Sequence, residues 1–96
     1  MKVKNLIAEK REEILKTAHK YGARNMRLFG SAARGRTSIS SDVDFLVEME
    51  PGSSLLDIVA IKQDLEDLLG CKVDVVTENA LSPYIRDEIL REAMSL

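Results

Sequence analysis

The sequence predicts a small α/β (α+β) domain in which helices pack on a β-sheet. Three observations carry this. Two long segments have helical apolar spacing, three short segments are rich in β-branched residues or alternate, and Gly or Pro falls at most of the boundaries between them. With 96 residues the chain suits one domain spanning 1–96. A domain of this size holds one core and has little volume left for an enclosed pocket, so an active site would be an open groove.

The elements follow in order. From Val3 to Tyr21, Val3, Ile7, Ile14, Ala18 and Tyr21 fall close to one stripe, with Lys and Glu elsewhere, which predicts a single helix closed by Gly22. Asn25–Phe29 reads as a strand ending at Gly30. Ser31–Arg34 reads as a short helical turn stopped by Gly35, and Arg36–Ser41 as a polar loop. From Asp42 to Met49 the residues alternate. Val43, Phe45, Val47 and Met49 share one face; Asp42, Asp44 and Glu48 share the other with Leu46. Pro51 and Gly52 make a turn.

Ser54–Leu69 is the clearest helix. Ser54 with Asp57 resembles a capping box, Leu55, Ile58, Val59, Ile61, Leu65, Leu68 and Leu69 form a wide face read as core, and Gly70 closes it. Lys72–Val76 is a short strand. Ser82 caps a last helix with Pro83 at its first position, and Ile85, Ile89 and Ala93 lie along it with Leu90 and Met94 beside them. Strand order and direction stay open.

Bulk properties exclude several classes. Hydrophobic residues make up 45% of the chain and charged residues 31%, an ordinary globular composition. A net charge of −2 gives no global basic field, and there is no Trp to stack bases, so strong nucleic-acid binding is not expected. Cys71 is the only cysteine, so no internal disulfide can form, which favours a cytoplasmic location. No apolar run approaches the roughly 20 residues that span a bilayer.

The chemistry-bearing residues are concentrated in two stretches. Gly30, at a strand end, lets backbone approach a ligand closely. Ser31 would open a helical turn whose free N–H groups favour a phosphate. Asp42 and Asp44, two apart on a strand, point to the same face with Cα atoms roughly 6.5–7 Å apart. Mg²⁺ is held by one or two such carboxylates together with substrate phosphates. A pair of metals about 3.5–4 Å apart can hold both oxygens of an in-line displacement. In Lys72-Val73-Asp74-Val75-Val76, Asp74 points away from Val73 and Val75, a costly place for a carboxylate without a partner. If the two strands are neighbours, three carboxylates converge, and Asp74 would bind a second metal or accept a proton from the attacking hydroxyl.

The spacing Gly30-Ser31, ten residues, Asp42-Val43-Asp44 resembles the signature of the nucleotidyltransferase superfamily that includes DNA polymerase β. More narrowly, the chain resembles the minimal nucleotidyltransferases that act as antitoxins in HEPN/MNT toxin–antitoxin pairs. The matching stretches are Leu28-Phe29-Gly30-Ser31-Ala32-Ala33-Arg34-Gly35, Ser41-Asp42-Val43-Asp44-Phe45-Leu46-Val47 and Val73-Asp74-Val75-Val76-Thr77, with a similar tail from Leu81 to Ala93. The resemblance implies a nucleotidyltransferase fold, a small mixed β-sheet packed with helices, and a reaction: AMP is transferred from ATP, with two Mg²⁺ ions, to a tyrosine of a cognate HEPN ribonuclease toxin, which is thereby silenced. It implies Asp42, Asp44 and Asp74 as catalytic and metal-binding residues and Gly30 and Ser31 as holders of the triphosphate. Arg34 and Arg36 are expected as phosphate or partner contacts. Two alternatives stand beside this: an antitoxin that only binds the toxin, and nucleotidyl transfer to a small molecule or an RNA end.

The remaining polar residues have plainer readings. His19 is expected at the surface, with no second His to build a metal site. Cys71 is read as packing, and Arg86 and Arg91 as exposed helix residues. Tyr84 is expected at the edge of the core, with self-modification as the other reading.

Overall fold

The structure is a computed structural model that describes residues 3–30 and 43–96. The expected short turn from Ser31 and the polar loop to Ser41 lie outside the described residues.

The elements are α1 (Val3–Glu9), α2 (Arg11–Lys20), β1 (Ala23–Phe29), β2 (Val43–Met49), α3 (Leu55–Leu69), β3 (Val73–Thr77), a 3₁₀ turn (Glu78–Ala80), α4 (Pro83–Glu92) and β4 (Met94–Ser95). The sheet order is β3-β2-β1-β4. β2 and β3 are parallel, joined through α3 as a crossover helix; β1 runs antiparallel to both its neighbours, so the sheet is mixed.

One face of the sheet carries the core. Val43, Phe45 and Val47 are fully buried together with Ile14 and Ala18 of α2 and Ile61 and Leu65 of α3. On the opposite face Leu46 is also fully buried. It pairs with Arg27 on one side and Val76 on the other, and the Arg27 guanidinium donates to Glu78 Oε1 at 2.7 Å.

β1 reaches this arrangement through a bulge. Ala23 pairs with Met49 and Arg24 with Glu48, but the register then shifts, so that Arg27 pairs with Leu46 and Phe29 with Asp44. The inward residues are Ala23, Met26 and Leu28, a pattern that breaks strict alternation. Asn25 absorbs the extra residue at φ 51°, a left-handed geometry that Asn tolerates better than most side chains. Its amide donates to Glu48 Oε1 across the strands at 3.1 Å.

Three expectations are corrected. The first helix is two, because the backbone leaves helical geometry at Lys10 (φ −102°, ψ 13°). α1 turns toward the β1–β4 edge, where Ile7 lines a groove with Leu28, Met94 and Leu96, whereas α2 packs on β1 and α3. The last helix stops at Glu92 because Met94 and Ser95 pair with Leu28 and Arg27, satisfying the open edge of β1. The apolar face of α3 is only partly core: Ile61, Leu65 and Leu69 are buried, but Leu55 (77% exposed), Leu56 (78%) and Val59 (42%) are not. The helix boundaries themselves agree with the sequence. Ser54 N–H donates to Asp57 Oδ2 at 2.9 Å, and Gly70 closes α3 at φ 69°. No helix among the described residues is long and apolar enough to cross a membrane.

Glu66 ties α3 to the start of β3. Its Oε2 accepts the Val73 N–H at 3.1 Å and lies 3.4 Å from Lys62 Nζ. The Val73 hydrogen bond is the main cause holding its carboxyl below the ordinary glutamate range, with Lys62 adding to it. A depressed folded pKa contributes stability above the unfolded value, near roughly pH 4.3, and that contribution disappears as pH falls through the lower folded value. Glu66→Gln is therefore expected to lower the urea midpoint at pH 7, and the gap to wild type should close on acidification below about pH 4. A gap that is constant between pH 7 and pH 3 would contradict the assigned interaction.

Candidate active site

The parallel pairing of β2 and β3 places Asp44 in register with Asp74, flanked by the buried pair Val43 and Val73. Adjacent strands lie about 4.8 Å apart, and residues paired in this way project to the same face. Burial of Val43 and Val73 therefore turns both aspartates to the other face, where Asp44 is half-buried and Asp74 exposed. Val43 N–H donates to Lys72 O at 2.9 Å, fixing the strand starts side by side.

β1 closes the site from the other side. Phe29 pairs with Asp44, and Gly30 follows at φ 72°. A Cβ added at Gly30 would stand 2.5 Å from Asp44 Oδ2, so the glycine backbone and the carboxylate share one contact. The C-terminal end of β1 and the N-terminal ends of β2 and β3 thus meet at one rim.

Like charges on facing strand positions are destabilising unless a cation or donor answers them. Two carboxylates at one rim suit Mg²⁺, which keeps several waters and takes one or two protein carboxylates alongside phosphate oxygens. Among the described residues no cluster of three metal-ligating side chains occurs. Asp42, the third carboxylate expected, immediately precedes β2 and lies outside the described residues, as do Ser31, Arg34 and Arg36. The structure therefore brings together three of the seven expected site residues, Gly30, Asp44 and Asp74.

The site face also holds residues that the sequence reading passed over. Arg27, on the same face as Phe29, meets Glu78 at 2.7 Å, and Arg86 of α4 meets the other oxygen of Glu78 at 3.6 Å. The Arg27 hydrogen bond is the main cause that holds the Glu78 carboxyl below the ordinary glutamate range. Arg27 Nη2 is buried without a hydrogen-bond partner among the described residues. The signal for Arg27 was its place between the inward Met26 and Leu28, readable only once the Asn25 bulge is known. Arg86 is exposed on α4, as expected, and also reaches Glu78. Cys71 packs against the core as expected, and His19 is exposed.

The mixed sheet, with helices on its core face and two acids gathered at one rim, is a nucleotidyltransferase fold. The chain belongs to the nucleotidyltransferase domain family, whose model matches residues 8–95. It is 41% identical over 95 residues to protein adenylyltransferase MntA of Thermococcus cleftensis, covering 93% of this chain and 95% of that protein. A solved structure described, provisionally, as a minimal nucleotidyltransferase superposes with a TM-score of 0.86 at 45% identity, over 100% of this chain and 97% of that one. A crystal structure of a toxin–antitoxin with AMP-PNP shares the fold at a TM-score of 0.74 and 21% identity, over 88% of this chain and 69% of that one. The protein is thus a nucleotidyltransferase.

Gly30 can be tested directly. Gly30→Ala imposes left-handed strain of about 1–2 kcal/mol and forces the Asp44 carboxylate aside. The expected result is a modest fall in the urea midpoint together with loss of MgATP binding in calorimetry. Unchanged binding would show that Gly30 does not set the position of Asp44.

Proposed function

We propose that the chain is an antitoxin that transfers AMP from ATP to a tyrosine of a HEPN ribonuclease toxin. The observation that carries this reading is the registered pair Asp44 and Asp74 beside the Gly30 backbone. Two comparisons support it. The Thermococcus relative is named as a protein adenylyltransferase, and the solved complex with AMP-PNP is a toxin–antitoxin.

In this reading Asp42, Asp44 and Asp74 hold Mg²⁺, as the carboxylate donor set fits. When bound, the metal supplies positive charge against the triphosphate oxygens and the departing pyrophosphate. Gly30 and Ser31 seat the triphosphate through backbone N–H groups, with Arg34 and Arg36 as further phosphate or partner contacts. The tyrosine oxygen attacks the α-phosphorus, the bond to the β-phosphate oxygen breaks, and pyrophosphate leaves. Asp74, exposed on β3, either joins in holding the metal or takes the phenolic proton. Positioning and charge stabilisation supply the rate, since the protein forms no covalent bond in this route.

The test is transfer of label from α-phosphate-labelled ATP, with Mg²⁺, to the co-expressed partner. Asp44→Asn should reduce transfer by about 100-fold or more, the scale of losing one electrostatic contact to a transition state, while thermal unfolding stays cooperative. Full transfer by Asp44→Asn would overturn the site. A neutralised partner that carries no label would instead support an antitoxin that acts by binding alone. Label on an RNA end or a small molecule, and none on protein, would change the acceptor class.

A further inference from the structure

The chain has two tyrosines, and the structure treats them oppositely. Tyr21 is partly buried; its hydroxyl donates to Asp64 Oδ2 at 2.9 Å, and Lys20 Nζ lies 5.3 Å from its ring centroid. Tyr84 is 96% exposed, so it is not a core-edge residue. It sits in the first turn of α4, directly after Pro83, and its backbone N–H donates to Ser82 Oγ at 3.3 Å. α4 has no buried residue, so the ring contributes nothing to the core.

We propose that Tyr84 is a modification site: an acceptor for the nucleotidyl group, adenylylated by a second copy of the same chain. This rests on the reading that the enzyme transfers AMP to a protein tyrosine. An enzyme that accepts a phenol on a protein surface meets such a phenol on its own α4. The step balances as for the partner. Tyr84 Oη attacks the α-phosphorus of ATP, its proton passes to a carboxylate or water, and pyrophosphate leaves. The product is a tyrosine–AMP phosphodiester.

Topology makes the reaction intermolecular. Asp74 is the second residue of β3, and Asp44 stands beside it at the same end of the sheet. α4 begins beyond the other end of β3. Arg86 in α4 meets Glu78, the residue that follows β3, which pins the start of the helix there. From Asp74 to Thr77 the strand alone spans about 10 Å. A phenol fixed beyond that far end reaches the carboxylate rim of a second molecule more readily than its own. Tyr21, held by Asp64, is excluded as an acceptor.

The experiment uses the purified full chain alone, with α-phosphate-labelled ATP and Mg²⁺, and peptide mapping by mass. Wild type should gain one AMP on the Tyr84 peptide. Tyr84→Phe and Asp44→Asn should each stay at background alone. Mixed together, the two should place label on the Asp44→Asn chain, whose tyrosine is intact. Nitration of the nucleotide-free protein by tetranitromethane should modify Tyr84 and spare Tyr21; the reverse would remove the geometric basis. Self-label that survives in Tyr84→Phe, or a mixture that stays unlabelled, would overturn the proposal. If the partner toxin is labelled in the same tube and the chain itself is not, the proposal fails while the protein-adenylylation reading stands. If neither is labelled, both fail.

Discussion

Two carboxylates side by side on adjacent parallel strands are the constraint around which the rest of the molecule is arranged. Asp44 and Asp74 share a register position, and carboxylates so placed suit a divalent cation. The fold holds them there by burying their neighbours. Val43 and Val73 face the core, fully or almost fully excluded from water, so neither strand can turn its aspartate inward without exposing a valine. A slip of one residue in either strand would move every side chain to the opposite face. α3 makes the parallel pairing possible as a crossover, and Glu66 on that helix binds the first backbone N–H of β3, next to Asp74.

β1 is adjusted to the same end. The bulge at Asn25 shifts the strand by one residue, so that Met26 and Leu28 point into the core while Arg27 and Phe29 point to the aspartate face. That shift brings Gly30 against the Asp44 carboxylate and places Arg27 over the sheet face, where it joins Glu78 and Arg86. A single left-handed residue in β1 thus fixes both the rim of the site and the network beneath it.

The periodic parts of this arrangement were legible in the sequence. The alternation in β2, the helical spacing and caps of α3, and the Ser82-Pro83 start of α4 all match the structure, because each depends on local residue pattern and backbone chemistry. So did the facing direction of Asp44 and Asp74, which follows from the period of two. What was not legible depends on contacts made far along the chain. The bend at Lys10 follows from where α1 and α2 dock, and β4 from the open edge of β1, to which Met94 would otherwise add only helix. The exposure of Leu55, Leu56 and Val59 depends on what packs against the start of α3, which apolar spacing within the helix does not specify. Arg27 and Glu78 are fifty-one positions apart in sequence and meet only through the strand order. Tyr84 was misplaced for a related reason: apolar spacing marks a helix face but does not say whether anything packs against it.

In the proposed function the rim formed by Gly30, Asp44 and Asp74 binds a metal–nucleotide complex. The most direct measurement is paramagnetic relaxation by Mn²⁺, substituted for Mg²⁺, in the presence of a non-hydrolysable ATP analogue, read on the backbone amides of the protein. The Gly30, Asp44 and Asp74 signals should broaden first, with those of α4 spared. Broadening centred on Asp87 and Glu88, or spread evenly over the acidic surface, would contradict it.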